Sequence, residues 1–476
     1  MPTAINNNIA TIHKKEWQQM NPLITNGNSG TCMVADPRGV YDYSLMVFSA
    51  TVQALYSHSQ DHYVTIPSMG MAAISGGANG CMARWSGVIT ANGGTTTTIT
   101  TVSPINTLCI GRIVRFASGT AGNIGLQRTV TNLIMNPSGT STITLDSALP
   151  SAVANADTFR IDSGMFYVMG AGAIGANLFK SYDPLTGIIT ALSSTGLPTV
   201  STDSFIINTM SFDVYATGTA TAGASATTLP NISKSWAVNQ WTNYQIRITS
   251  GTGIGQVRTI ASNTATVITV SSAWTTNPST DSVYEITGND DNIYFSGNAT
   301  VTLYKFSISA NTWATITPTV ARAAATNNGC TVVWNYKTGN ADWANESTIL
   351  DGKYLYSYRG GVIATTLDRY DIAANSWAVL TLPGNAEAST VMGPVTSCVI
   401  NNDTMITRLG TTHRYMAYNI CTGISYGLTQ NVNVDGGGFT GVRMWLKKYQ
   451  ESGVDKLVWI YSWRSNQIEL YRLLLY

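Results

Sequence analysis

The chain has 476 residues, a formal net charge of +1 and only 11% charged residues, well under the about one quarter usual in soluble proteins. That balance gives no support to binding of nucleic acid by bulk charge. Gly, Thr, Ser, Ala and Asn fill the gap beside 12 Trp and 23 Tyr, a composition that favours many short strands over helices.

Residues 1–28 stand apart from the rest. The opening, MPTAINNNIATIHKKEWQQM, lacks the apolar segment of a signal peptide, and no run in the chain approaches the length of a membrane span. The expectation is a soluble protein made in a cytoplasm. Ala10–Met20 is predicted to be a short helix with Ile12, Trp17 and Met20 loosely on one side. Such an arm either packs on its own chain or docks on a neighbour, with Trp17 as the candidate anchor.

Residues 29–87 read as strands, among them VYDYSLMVFSATVQALYS and CMARWSG. Two stretches then break the rhythm and resemble each other, residues 88–162 and 216–287. RIVRFASGTAGNIGLQRTV in the first answers YQIRITSGTGIGQVRTI in the second, so that Gly125 falls on Gly255, Arg128 on Arg258 and Asp157 on Asp281. The simplest account is one small β module, duplicated and inserted at equivalent loops, where both ends of an insert can emerge at the surface. Each Arg and Asp pair reads either as a polar recognition site or as an ion pair or turn anchor within its module.

Residues 163–215 and 288–476 return to alternating hydrophobic strands. LYKFSISANTWATI after Asn292 matches LDRYDIAANSWAVL after Asp351 almost position for position, and FKSYDPLTGIIT after Gly164 follows the same register. DTMITRLGTTHRYMAYNICTGISYGL and VDKLVWIYSWRSNQIELYRLLLY continue the series. Copies beginning at 292, 352, 403 and 454 lie about 50 residues apart.

A hydrophobic strand, one or two glycines, an aromatic-Asp strand, a turn and then Trp or Ile resembles the kelch repeat. The resemblance implies an all-β, kelch-like β-propeller of four-stranded blades. Six blades are expected, with seven as the alternative, together with two inserted β domains and the N-terminal helix. The apolar last strand, residues 469–476, is suited to closing the ring on an early strand. The pattern S-G-T-G-x-G-Q-x-R-x-I, a Trp, then S-x-Y-E-I resembles a module of tailed-bacteriophage virion proteins. That implies a non-enzymatic structural subunit of a tail, neck or baseplate, present in many copies or as a homo-oligomeric ring beside other virion proteins. A receptor- or glycan-binding adhesin of the particle is the second reading, and a kelch-type oxidase or hydrolase the third.

Motifs for chemistry are sparse. Gly170–Gly175 is a formal G-x-G-x-x-G after a strand, but Pro184 and Gly187 follow too soon for the helix that a dinucleotide needs. His58 and His62, with Asp61, have i,i+4 spacing, yet YSHSQDHYV reads as a surface turn that splays them, and no third ligand is apparent. Cys32, Cys81, Cys109, Cys330, Cys398 and Cys421 share no C-x-x-C spacing and read as buried thiols in a reduced compartment. No Walker loop or H-E-x-x-H is present, and no catalytic, cofactor or metal residue is assigned. The interaction candidates are Trp17, Arg128 and Arg258.

Overall fold

The computed structural model describes residues 41–71 and 79–323 with few gaps, and elsewhere mainly strands lying within 17–34 and 329–475. The described residues are all-β, with no α-helix and a single 3-10 turn at Thr107–Cys109. No described helix is long and apolar enough to cross a membrane.

Six four-stranded antiparallel sheets account for most strands outside the modules. The first contains Cys32–Val34, Tyr43–Val47, Gln53–Ser57 and His62–Thr65 in chain order. The second contains Asn79–Ala83, Met165–Met169, Phe179–Tyr182 and Ile189–Ala191. The third contains Phe205–Asn208, Asn292–Ser296, Leu303–Ser307 and Thr312–Ile316. The fourth contains Gly329–Val332, Tyr354–Tyr358, Thr366–Asp371 and Ser376–Thr381, so Tyr354, Tyr356, Tyr370 and Trp377 share one sheet. The fifth runs Ser397–Ile400, Thr404–Leu409, Arg414–Asn419 and Ser425–Gly427. First strands of successive sheets, from Cys32–Val34 through Val442–Trp445, neighbour one another in chain order.

The sixth sheet breaks chain order. Val442–Trp445, Val458–Trp463 and Leu470–Leu475 are joined at the edge by Trp17–Gln19. Trp17 registers with Leu473, Gln18 with Arg472 and Gln19 with Tyr471. The helix expected over Ala10–Met20 is therefore corrected where it is described: Trp17–Gln19 is strand. A ladder of backbone hydrogen bonds along an apolar edge outweighs the small helical preference of so short a segment. Residues 1–16 lie outside the described residues.

One turn recurs between third and fourth strands. Asp61, Gly187, Asn311 and Asn375 occupy the same place in the first four sheets and all have left-handed backbone, with φ of 49°, 73°, 53° and 50°. Gly, Asn and Asp are the residues that tolerate that region at least cost. Tyr56 donates to the Asp61 carboxylate at 2.7 Å, and Tyr370 to the Asn375 side-chain carbonyl at 2.7 Å. An aspartate before the second strand braces the same turn. Asp42 accepts from Ser57 Oγ and the Ser59 amide at 2.9 and 3.1 Å, and Asp291 from Ser307 Oγ and the Ser309 amide at 2.7 and 2.8 Å.

The second and third sheets are packed on both faces by their neighbours, and Tyr43–Val47 and Asn292–Ser296 are buried at every position. Val34, Leu45 and Val47 pack with Met82, Phe166 and Val168 of the second sheet. Cys81, Tyr167 and Phe179 pack with Ile206, Phe295 and Phe306 of the third, and Phe205 and Leu303 with Leu355 and Trp377 of the fourth. Arg322 is a buried polar link across the last junction. It donates to Ser296 Oγ and Ser357 Oγ, each at 2.9 Å, and lies 5.0 Å from the Trp377 ring centre.

The sixth sheet yields a prediction. Deleting residues 1–19 strips Leu470–Leu475 of one of its two strand partners and leaves an apolar open edge. The truncated chain should unfold at lower denaturant and self-associate by light scattering. An unchanged midpoint with a monodisperse truncation would contradict the pairing.

Candidate functional site

Two six-stranded modules interrupt the second and third sheets at the same place, between first and second strands. The first uses Ile89–Gly94, Thr98–Thr101, Ile113–Ser118, Gln127–Met135, Ser141–Leu145 and Asn155–Ile161 and closes into a barrel. The second uses Val214–Thr219, Thr228–Pro230, Gln245–Ser250, Val257–Asn263, Val267–Val270 and Val283–Thr287. Its strands follow the same cyclic order, but Val214–Thr219 and Thr228–Pro230 are not paired, so this sheet stays open. Each has its own apolar core, around Phe116 and Phe159 in one and Trp241 and Tyr284 in the other.

The interaction candidates resolve into separate roles. Arg128 donates to the Ala148 carbonyl at 2.8 Å and the Gln127 carbonyl at 2.8 Å. Arg258 repeats this on Ala273 and Val257, both at 2.9 Å, and reaches Thr275 Oγ1 at 3.0 Å. Asp157 accepts from the amides of Thr120 and Ala154 at 2.8 and 3.0 Å, and Asp281 from the Thr252 amide at 3.0 Å. No ion pair joins each arginine to its module's aspartate, and all four side chains hold turns. Trp17 has its backbone committed to the sixth sheet.

The other motifs also find their places. Gly170–Gly175 leads from one strand of the second sheet to the next, Phe179–Tyr182, with no helix between them among the described residues. The reading of His58 and His62 as a surface turn is corrected in part. His62 is exposed, but His58 is buried, 2.6 Å from Ser44 Oγ and edge-on to Tyr56. It occupies the repeat position held by Ile308 and Ile372, so core packing decides its burial. Cys32, Cys81 and Cys109 are buried, and burial pushes the Cys109 thiol up to about 11. The side chains of Cys330, Cys398 and Cys421 lie outside the described residues.

The modules meet at equivalent residues. A methyl group at Gly125 would fall 2.0 Å from the Gly255 α-carbon, and one at Gly255 would fall 2.2 Å from the Ile124 carbonyl oxygen. Both glycines have left-handed backbone, φ 75° and 84°. Arg247 donates from Nη2 to the Gly125 carbonyl across this contact. Sequence alignment had identified the glycines as equivalent; their mutual contact needed the fold.

Beside the contact lies a cleft of about 460 Å³. Arg84 and Trp85 from the second sheet form part of its wall, with Arg115 and Arg160 from the first module, Arg258 from the second module, and Asp290 and Asp291 at the entry to the third sheet. Arg84 pairs with Asp162 at 3.1 Å and lies 4.5 Å from the Trp85 ring centre. Arg115 lies 5.6 Å from the same ring, and its guanidinium makes no hydrogen bond or ion pair among the described residues. Burial lowers the Arg115 guanidinium to about 10, with the like charge of Arg247 adding to the effect and Asp290 opposing it. It remains cationic at neutral pH. Burial raises the Asp290 carboxyl, with Arg84 and Arg115 pulling the other way. The arrangement can hold a negative group and accept hydrogen bonds from a polar one.

No family model matches the chain, and no curated protein matches it. Among solved structures, a chain of Kuenenia stuttgartiensis hydrazine synthase aligns at 9% identity, over 36% of this chain and 39% of that one, with a TM-score of 0.22. A likeness that small carries no argument about fold or activity.

The glycine contact is testable by contrast. Gly125→Ala meets both backbone strain and Gly255, whereas Gly139→Ala, at φ 77°, meets the strain with nothing within 4 Å of the added carbon. Denaturation should show a loss of about 1 kcal/mol for Gly139→Ala and at least about 2 kcal/mol for Gly125→Ala. Equal losses would mean that the modules do not touch there.

Proposed function

We propose that the chain is a six-bladed β-propeller serving as a non-enzymatic structural subunit of a tailed-phage virion, a stiff hub that holds two outward modules. The observation that carries the reading is the pairing of Trp17–Gln19 with Leu470–Leu475. Strand exchange between chain ends is how a ring of four-stranded sheets removes its last open seam. Six sheets whose first strands neighbour in chain order support the same architecture.

The virion context rests on the resemblance of the inserted modules to those of phage particle proteins. A hub with two modules braced against each other at Gly125 and Gly255 suits a part that transmits position without moving. Other virion proteins, and further copies of this chain, are the partners this reading implies. The adhesin reading is favoured by one feature, the arginine-lined cleft, and the two separate by binding to host envelopes.

Quantitative mass spectrometry of purified particles should find the chain at a fixed copy number, and a low-resolution map should accommodate a disc with two protrusions. A chain left wholly in the lysate and absent from infectious particles would overturn the assignment.

A further inference from the structure

The duplicated modules differ at one charged position that faces the cleft. In the second module Arg247 stands directly opposite Glu285 across paired strands, and the two form an ion pair at 3.1 Å. In the first module the same register places Arg115 opposite Arg160. The flanking pairs confirm the equivalence, with Phe116 opposite Phe159 where Ile248 stands opposite Tyr284. One copy of the module is internally neutral at this point, and the other presents two adjacent cations.

Directly opposed like charges destabilise a sheet. Nothing described neutralises these two by contact. Arg160 donates only to the Ser86 carbonyl, at 3.3 Å, and the Arg115 guanidinium has no hydrogen-bonding partner. Both line the cleft, where Arg84 and Arg258 also contribute, against Asp290 and Asp291. Of those carboxylates, Asp291 is occupied by Ser307 and Ser309. The cleft therefore presents four arginines, of which only Arg84 has an anionic partner among the described residues, in a space at the lower end of ligand-pocket sizes.

We propose that this cleft binds an oxyanion carried on a hexose-sized, hydroxylated molecule, with the negative group seated between Arg115 and Arg160. Guanidinium groups suit carboxylate and phosphate alike, because both accept paired N–H donors. The Asp290 carboxyl offers an acceptor for hydroxyl groups beside these cations, so the cleft suits one negative group on a polar frame. A uronic acid and a sugar phosphate share that chemistry. The inference stands on the cleft alone and holds or falls independently of the virion assignment.

The full chain is titrated calorimetrically at low salt with sodium glucuronate, glucose 6-phosphate and glucose. At least one anionic sugar should bind saturably and glucose should not, and the tighter of the two identifies the source of the oxyanion. Arg160→Glu rebuilds the ion pair of the second module. It should fold, melt no lower than the native chain, and weaken anionic-sugar binding at least tenfold. Arg160→Gln, which removes the charge without adding one, should weaken binding in the same direction. Absence of binding by both anionic sugars, equal binding of glucose, or unchanged affinity in both variants would overturn the proposal.

Discussion

The open edge of a β-sheet is the constraint on which this structure depends. Each strand end of a four-stranded meander presents unpaired amides and carbonyls, and such edges recruit any strand within reach. Here the last strand, Leu470–Leu475, is almost wholly apolar and takes Trp17–Gln19 from the far end of the chain as its partner. The same segment in isolation has helical spacing. Its conformation is decided by the vacancy it fills, since a three-residue strand has no stability apart from the ladder that receives it.

Within the sheets, a local rule makes the repeat possible. A left-handed residue at Asp61, Gly187, Asn311 and Asn375 reverses the chain between third and fourth strands. Asp42 and Asp291 fix two of those turns through paired serines. With the turns fixed locally, strand register follows, and side chains on both faces meet the next sheet in a predictable order. Arg322 shows how polar groups enter such packing: its buried guanidinium donates to two serine hydroxyls and lies over an aromatic face.

The inserted modules share one cyclic strand order and differ at named positions. The turn anchors Arg128 and Arg258 kept one role, bracing carbonyls of the following loop. Gly125 and Gly255 kept the small size that lets the copies touch. The cross-strand pair is Arg–Glu in one module and Arg–Arg in the other, and the Arg–Arg pair lines the cleft.

Much of the all-β character could be read in advance, because LYKFSISANTWATI and LDRYDIAANSWAVL repeat both strand alternation and turn residue. The module equivalence was readable for the same reason, as Gly125 and Gly255 sit in matching text. Trp17 misled because helical spacing in a short segment says nothing of a distant edge. His58 misled because its neighbours are turn residues while its own position is a core one. Arg115 and Arg160 went unnoticed because they are 45 residues apart and become neighbours only through register. The most direct test of the account is a cross-link in that sixth sheet. Gln18→Cys with Arg472→Cys should form an intramolecular disulfide under mild oxidation and raise the unfolding midpoint; a chain that cross-links only to other copies, or not at all, would contradict the pairing of Trp17–Gln19 with Leu470–Leu475.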